Sequence, residues 1–117
     1  MYTISENRNL TLIVFNEMLT VKGLINFDKR FKNYVNHITK SCNIVFDFSK
    51  ILFDDHAYAV LEGIAMIEDY AFAKGKNKCA TLVSKETFAQ IILKYPDKIG
   101  EVFIDLSDVK EYFNSHW

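Results

Sequence analysis

Hydrophobic and polar positions change their period along this chain, and the changes mark its elements. Residues 2–6 and 9–15 read as two strands around a turn at Asn7-Arg8-Asn9. In the second, Leu10, Leu12 and Val14 interleave with Thr11, Ile13 and Phe15. Both faces of that strand are largely apolar, so both are expected to be at least partly covered. From residue 20 to 38 the period becomes helical: Leu24, Phe27, Phe31, Tyr34 or Val35, and Ile38 recur on one side. Asp28, Lys29, Lys32, Asn33 and Asn36 fill the other. Thr20 is placed to cap this helix, and Gly23 weakens its first turn.

Asn43-Ile44-Val45-Phe46-Asp47-Phe48 is a short apolar run suited to a buried strand, broken by Ser49-Lys50. Ile51-Leu52-Phe53 returns the chain to the core, and Asp54-Asp55-His56 opens a long helix over about residues 56–73. Val60, Ile64, Ile67 and Ala71 form one stripe of it, with Ala57, Leu61, Ala65, Glu68 and Phe72 alongside. So broad an apolar surface suits a helix lying on a sheet. Gly75 is placed as its C-terminal cap. A strand over Lys78–Val83 follows, then a Ser84-capped helix with Phe88, Ile91, Ile92 and Tyr95, stopped at Tyr95-Pro96-Asp97. Glu101-Val102-Phe103-Ile104 is a last strand. Asp105 or Ser107 caps a terminal helix that turns Val109, Tyr112 and Phe113 inward. The order β-β-α-β-α-β-α-β-α predicts an α/β fold: a mixed, mostly parallel sheet with right-handed crossovers and one antiparallel edge strand.

Composition narrows the function more than the fold. The 117 residues suit one domain, 1–117; half are hydrophobic, and one Pro and four Gly leave little room for a disordered tract. A formal net charge of −1 argues against a nucleic-acid module, which usually carries a basic face. Lys29, Arg30 and Lys32 read instead as the solvated side of a helix. Cys42 and Cys79 fall at strand beginnings or interiors and read as reduced core residues. Met1 to Glu6 has no apolar signal-peptide core, and no run approaches the roughly 18 apolar residues of a transmembrane segment, so the expected compartment is the cytoplasm.

The middle of the chain resembles a STAS domain, the family of the anti-sigma-factor antagonists, and within it the small stand-alone bacterial, SpoIIAA-like branch. Phe46-Asp47-Phe48-Ser49 is similar to the family's strand end, Ile51-Leu52-Phe53 to its short apolar segment, and Asp54-Asp55-His56-Ala57 to its loop. Ala59-Val60-Leu61 resembles the start of the family's long helix, and Ala80-Thr81-Leu82-Val83, the Ser84 helix and Val102-Phe103 its second half. The resemblance covers about residues 9–114. It implies a regulatory, protein-interaction or ligand-sensing module built around this loop and helix. The family's loop carries a phosphorylatable serine. Here that position falls on Ala57, or on His56 with a one-residue deletion, and Tyr58 stands where the loop glycine would be. The serine switch is therefore expected to be absent.

Asp54-Asp55-His56 is the one cluster that invites catalysis or metal binding. Acidic residues at a helix N-terminus are also explained by the free N–H groups and the positive dipole end they face. His37 and His116 lie near helix C-termini. Ser49, Ser84 and Ser107 lack a nucleophile elbow, and Ala73-Lys74-Gly75-Lys76 is no phosphate loop. Neither enzyme activity nor a metal or cofactor is expected. The reading is a non-enzymatic regulatory domain that binds an unknown regulatory protein through Asp54, Asp55, His56, Ala57 and Tyr58. Two alternatives stay open. One is a carrier or sensor of a small apolar ligand such as a lipid, with Met66, Phe72, Phe88 and Ile92 lining a pocket rather than filling a core. The other is a scaffolding homodimer, with Tyr112, Phe113 and Trp117 at its contact.

Overall fold

The first hairpin follows from alternation on both sides of a short turn. β1 (Tyr2–Asn7) pairs antiparallel with β2 (Leu10–Phe15), in register from Tyr2 against Phe15 to Asn7 against Leu10. The fold is that of a computed structural model, which describes residues 2–7, 10–17, 19–37, 43–51, 55–73, 78–94 and 102–115. β2 is then the first of four parallel strands, followed by β3 (Asn43–Asp47), β4 (Cys79–Leu82) and β5 (Val102–Phe103). Between them run α1 (Val21–His37), α2 (Asp55–Ala73) and α3 (Lys85–Lys94), and α4 (Leu106–Ser115) follows β5. The expected element order is the observed one.

The spatial order of the strands is β1-β2-β3-β4-β5, the same as their order in the chain. That monotone order has a direct consequence. Parallel connections are right-handed in nearly all sheets, so crossovers that step the same way lay their helices on the same face. The core bears this out. Phe27, Phe31 and Val35 of α1, Val60, Leu61, Ile64, Ile67 and Ala71 of α2, and Ile91 of α3 form one cluster with Ile13, Phe15, Ile44, Phe46 and Phe48 of the sheet side. Among the described residues, α4 alone covers the opposite face, where Val109 and Phe113 meet Val45, Ala80 and Leu82. β2 records the difference: Thr11, Ile13 and Phe15 are buried, whereas Leu10, Leu12 and Val14 are half-buried.

Aromatic rings fill the first cluster. Phe15 stacks on Phe48 with centroids 4.3 Å apart, and Phe27 meets Phe15 edge-on at 5.3 Å. These are favoured geometries for rings with negative faces and positive edges. Polar side chains that enter this layer are tied down. Thr81, 2% exposed, donates to Glu68 Oε1 at 2.7 Å, joining β4 to α2. Tyr34 donates to Glu6 Oε1 at 2.6 Å, with Thr11 Oγ1 3.3 Å from the same hydroxyl. Cys79 is buried at the start of β4, as expected; Cys42 lies outside the described residues.

The local signals place the helix starts. Thr20 Oγ1 accepts from the Gly23 N–H at 3.0 Å, and Ser84 Oγ accepts from the Thr87 N–H at 3.2 Å. Of the two residues offered as cap of α4, Asp105 takes the position: its carbonyl accepts from the Asp108 and Val109 N–H groups, while Ser107 lies within the first turn. α2 starts at Asp55, one residue before the expected point. Gly75 and Tyr95-Pro96-Asp97 lie outside the described residues, as do Ile38, Leu52 and Phe53.

Two expected apolar positions need correction. Met66 is 73% exposed and Ile92 54% exposed, so neither fills a core; Met66 does border an open groove between α1 and α2, and Ile92 does not. Ile91 and Ile92 are 100° apart on α3, and a helix at the side of the layer buries only one of two such neighbours. Met66 lies opposite Ile64 on α2, on the pole that faces away from the sheet. Tyr112 and Phe113 pack on their own chain. Phe113 is buried at 3%, and the Tyr112 ring lies 5.3 Å from Phe103 and beneath the ammonium of Lys78. Trp117 lies outside the described residues.

Candidate partner-binding site

The turn after β3 is fixed by its own residues. β3 ends at Asp47, and the Asp47 carboxylate folds forward over the next residues. Its Oδ1 accepts from the Ser49 N–H at 2.8 Å and from the Ser49 hydroxyl at 2.6 Å. This is an Asx turn, in which a short acidic side chain imitates a backbone carbonyl. The Ile51 N–H closes the turn on the Phe48 carbonyl at 3.1 Å, and Ile51 drops into the core at 7% exposure. Phe48 remains tied to the sheet through its N–H to the Leu82 carbonyl, 2.8 Å away. The chain thus leaves the carboxyl end of β3 in a locked direction before α2 begins at Asp55.

Of the five residues predicted to contact a partner, Asp54 lies outside the described residues. Asp55, His56, Ala57 and Tyr58 form the first turn of α2, and their side chains lie outside the described residues. The backbone therefore brings these four onto one helical turn beside the carboxyl ends of the parallel strands. His37 ends α1, its side chain also outside the described residues, and His116 lies beyond them. Among the described residues no group of three His, Cys, Asp or Glu could hold a metal ion. No helix there is long and apolar enough to cross a membrane. Lys29 and Arg30 are exposed, and Lys32 pairs with Asp28 at 3.2 Å, so the basic run is a solvated helix face.

Two features escaped the sequence reading. One is the Asp47–Ser49 lock, for which the Asp-x-Ser spacing after a strand was the available signal. The other is an open groove of about 500 Å³ between α1 and α2. Leu24, Ile25, Met66 and Ile67 line it, with Lys32 and Tyr70 at one end. Gly63 makes the close approach of the two helices there, since a Cβ at that position would sit 2.6 Å from Leu24 Cδ2. The groove's ends are tied by side chains: the Lys32 ammonium lies over the Tyr70 ring, 5.1 Å from its centroid, and Tyr70 donates to Asn36 Oδ1 at 3.2 Å.

A monotone sheet, three helices on one face and one on the other, and a locked turn before the second helix together specify a known arrangement. An anti-sigma factor antagonist from Mycobacterium paratuberculosis superposes with a TM-score of 0.62 over 97% of this chain and 93% of that one, at 14% sequence identity. The chain has the fold of an anti-sigma factor antagonist. The SpoIIAA-like architecture expected from the motifs around Asp47 and Asp54 is thus the observed one. No family model and no curated protein matches the sequence. The likeness lies in the path of the chain, not in shared side chains.

Proposed function

We propose that this protein is a non-enzymatic regulatory domain that binds a protein partner through Asp54, the first turn of α2 from Asp55 to Tyr58, and the exposed side of that helix. The observation that carries the reading is the match of nearly the whole chain to an anti-sigma factor antagonist. His56 or Ala57 takes the place of the family's serine, so binding is not switched by phosphate at that turn.

The test uses the protein isolated from its own cells. Cross-linking and native mass spectrometry identify the bound protein, and titration calorimetry then compares wild type with an Asp55→Ala, His56→Ala, Tyr58→Ala variant. The affinity is expected to fall by about tenfold or more, as when a few central contacts dominate an interface. An unchanged affinity removes the site assignment. Intact mass with no phosphate on this turn supports the unswitched reading. Metal uptake or turnover that depends on Asp54, Asp55 and His56 overturns the non-enzymatic one.

A further inference from the structure

The outward face of the α1–α2 layer carries a self-complementary pattern. α1 and α2 each return from one parallel strand to the next, so they run in the same direction along the sheet. Their relative height is known from two contacts: Leu24 lies against Gly63, and the Lys32 ammonium lies over Tyr70. Along the exposed pole of α1 stand Lys22, Ile25 and Lys29, and along that of α2 stand Glu62, Met66 and Asp69. Each set covers two helical turns, and the two sets stand at nearly the same height. In both, a large apolar residue sits between two charges: Ile25 at 52% exposure, Met66 at 73%. The charges are both basic on α1 and both acidic on α2. None of these four forms an ion pair with another described residue.

A two-fold axis running along the groove sets α1 of each copy over α2 of the other. A pure rotation allows no slide along its axis, so residues at equal height in one chain meet across the interface. We infer that the protein forms a two-fold homodimer through this face, with Ile25 of each copy on the partner's Met66, and with Lys22 and Lys29 facing the partner's Glu62 and Asp69. The alternative axis, across the helices, sets α1 on α1 and α2 on α2 and opposes like charges. Charge complementarity thus selects both the occupant and its orientation. The contact covers exposed apolar side chains and the groove beside Gly63, the arrangement expected of an apolar interface centre with a charged rim. This inference does not depend on the partner reading of Asp54 to Tyr58, but the dimer covers the exposed side of α2 beyond that turn, so dimer and partner compete for it. It differs from a dimer through the C-terminal helix, whose aromatic residues are spent on their own sheet.

Light scattering and sedimentation at high micromolar concentration test it with the full chain. Wild type is expected to run as a dimer that weakens as salt is raised. Met66→Asp is expected to run as a folded monomer, its circular dichroism unchanged because the side chain is exposed. Lys22→Glu with Lys29→Glu makes both helices acidic, and Glu62→Lys with Asp69→Lys makes both basic. Each of these variants alone is expected to lose dimerisation by about 100-fold or more. Mixed in equal amounts, they are expected to form a one-to-one heterodimer in native mass spectrometry, since every seam is then complementary. A monomeric wild type overturns the inference, including one that retains a small amphiphile in the groove. Charge-reversed variants that still dimerise alone, or that fail to pair when mixed, overturn it as well.

Discussion

The two faces of this sheet are built from the same strands but not in the same way. On one, three helices press a continuous layer that includes Phe15, Phe27, Phe31, Phe46 and Phe48. On the other, a single terminal helix contributes Val109 and Phe113, and the nearby Leu10, Leu12, Phe103, Leu106 and Tyr112 are only partly buried. The cause is topological. Crossovers of one hand through strands in sequential order place every internal helix on one side, so the second side depends on whatever follows the last strand. The difference teaches that stability is concentrated on the three-helix side: its inner surface holds the core, while its outer surface holds the groove and the first turn of α2, where we place the proposed contacts.

Truncating a ring in the thick layer makes the strongest challenge to that contrast. Phe15→Ala removes a fully buried ring stacked on Phe48 and touching Phe27 and Tyr2. Urea unfolding is expected to show a loss of about 3–5 kcal/mol. A loss well under this range would mean that the aromatic layer is not the main core. The matching change on the thin side, Phe113→Ala, is expected to cost about 3 kcal/mol, the low end of the same range. There the more telling measurement is hydrogen exchange. Amides of α4 are expected to lose protection while those of α1 to α3 keep it, since a terminal helix held by few buried residues opens on its own. Loss of protection spread evenly over both faces would erase the contrast. The smallest effect belongs to the polar tie inside the thick layer. Thr81→Val removes the hydroxyl that Glu68 accepts from, and a cost of about 1–2 kcal/mol is expected from the carboxylate left without that donor. Thermal unfolding of the Glu68→Gln, Thr81→Val pair against the single changes measures the coupling directly.

Much of this fold was legible, and the legible parts share a cause. Thr20 and Ser84 cap their helices through hydrogen bonds to residues three positions on, so their role needs no knowledge of the rest of the chain. The alternation in β2 and the stripe of Val60, Ile64, Ile67 and Ala71 report which residues face inward, since the period of each element settles that. Where the period is ambiguous, the sequence does not settle which side faces inward. Ile91 and Ile92 are neighbours of equal hydrophobicity, and Met66 stands on a helix with apolar residues on nearly every side. Such a helix does not announce its inner face. The candidate residues Asp54 to Tyr58 stand out through resemblance, and Asp55 to Tyr58 open α2; the Asp47–Ser49 lock after β3 is a local bond that the spacing Asp-x-Ser could have suggested. The groove had no such signal, because Leu24, Ile25, Gly63 and Met66 lie on two helices about forty residues apart.

From its sequence alone the chain determined its elements, their order, their caps and the parallel character of the sheet. These rest on interactions within a few residues and on the periods that backbone geometry imposes. The tertiary structure decided that the strands stand in sequential order, that three helices share one face, and that Lys22, Ile25 and Lys29 stand nearly level with Glu62, Met66 and Asp69. Those facts depend on which distant surfaces pack together. An alternating series of strands and helices is compatible with several strand orders, and only the fit of the packed layers selects one.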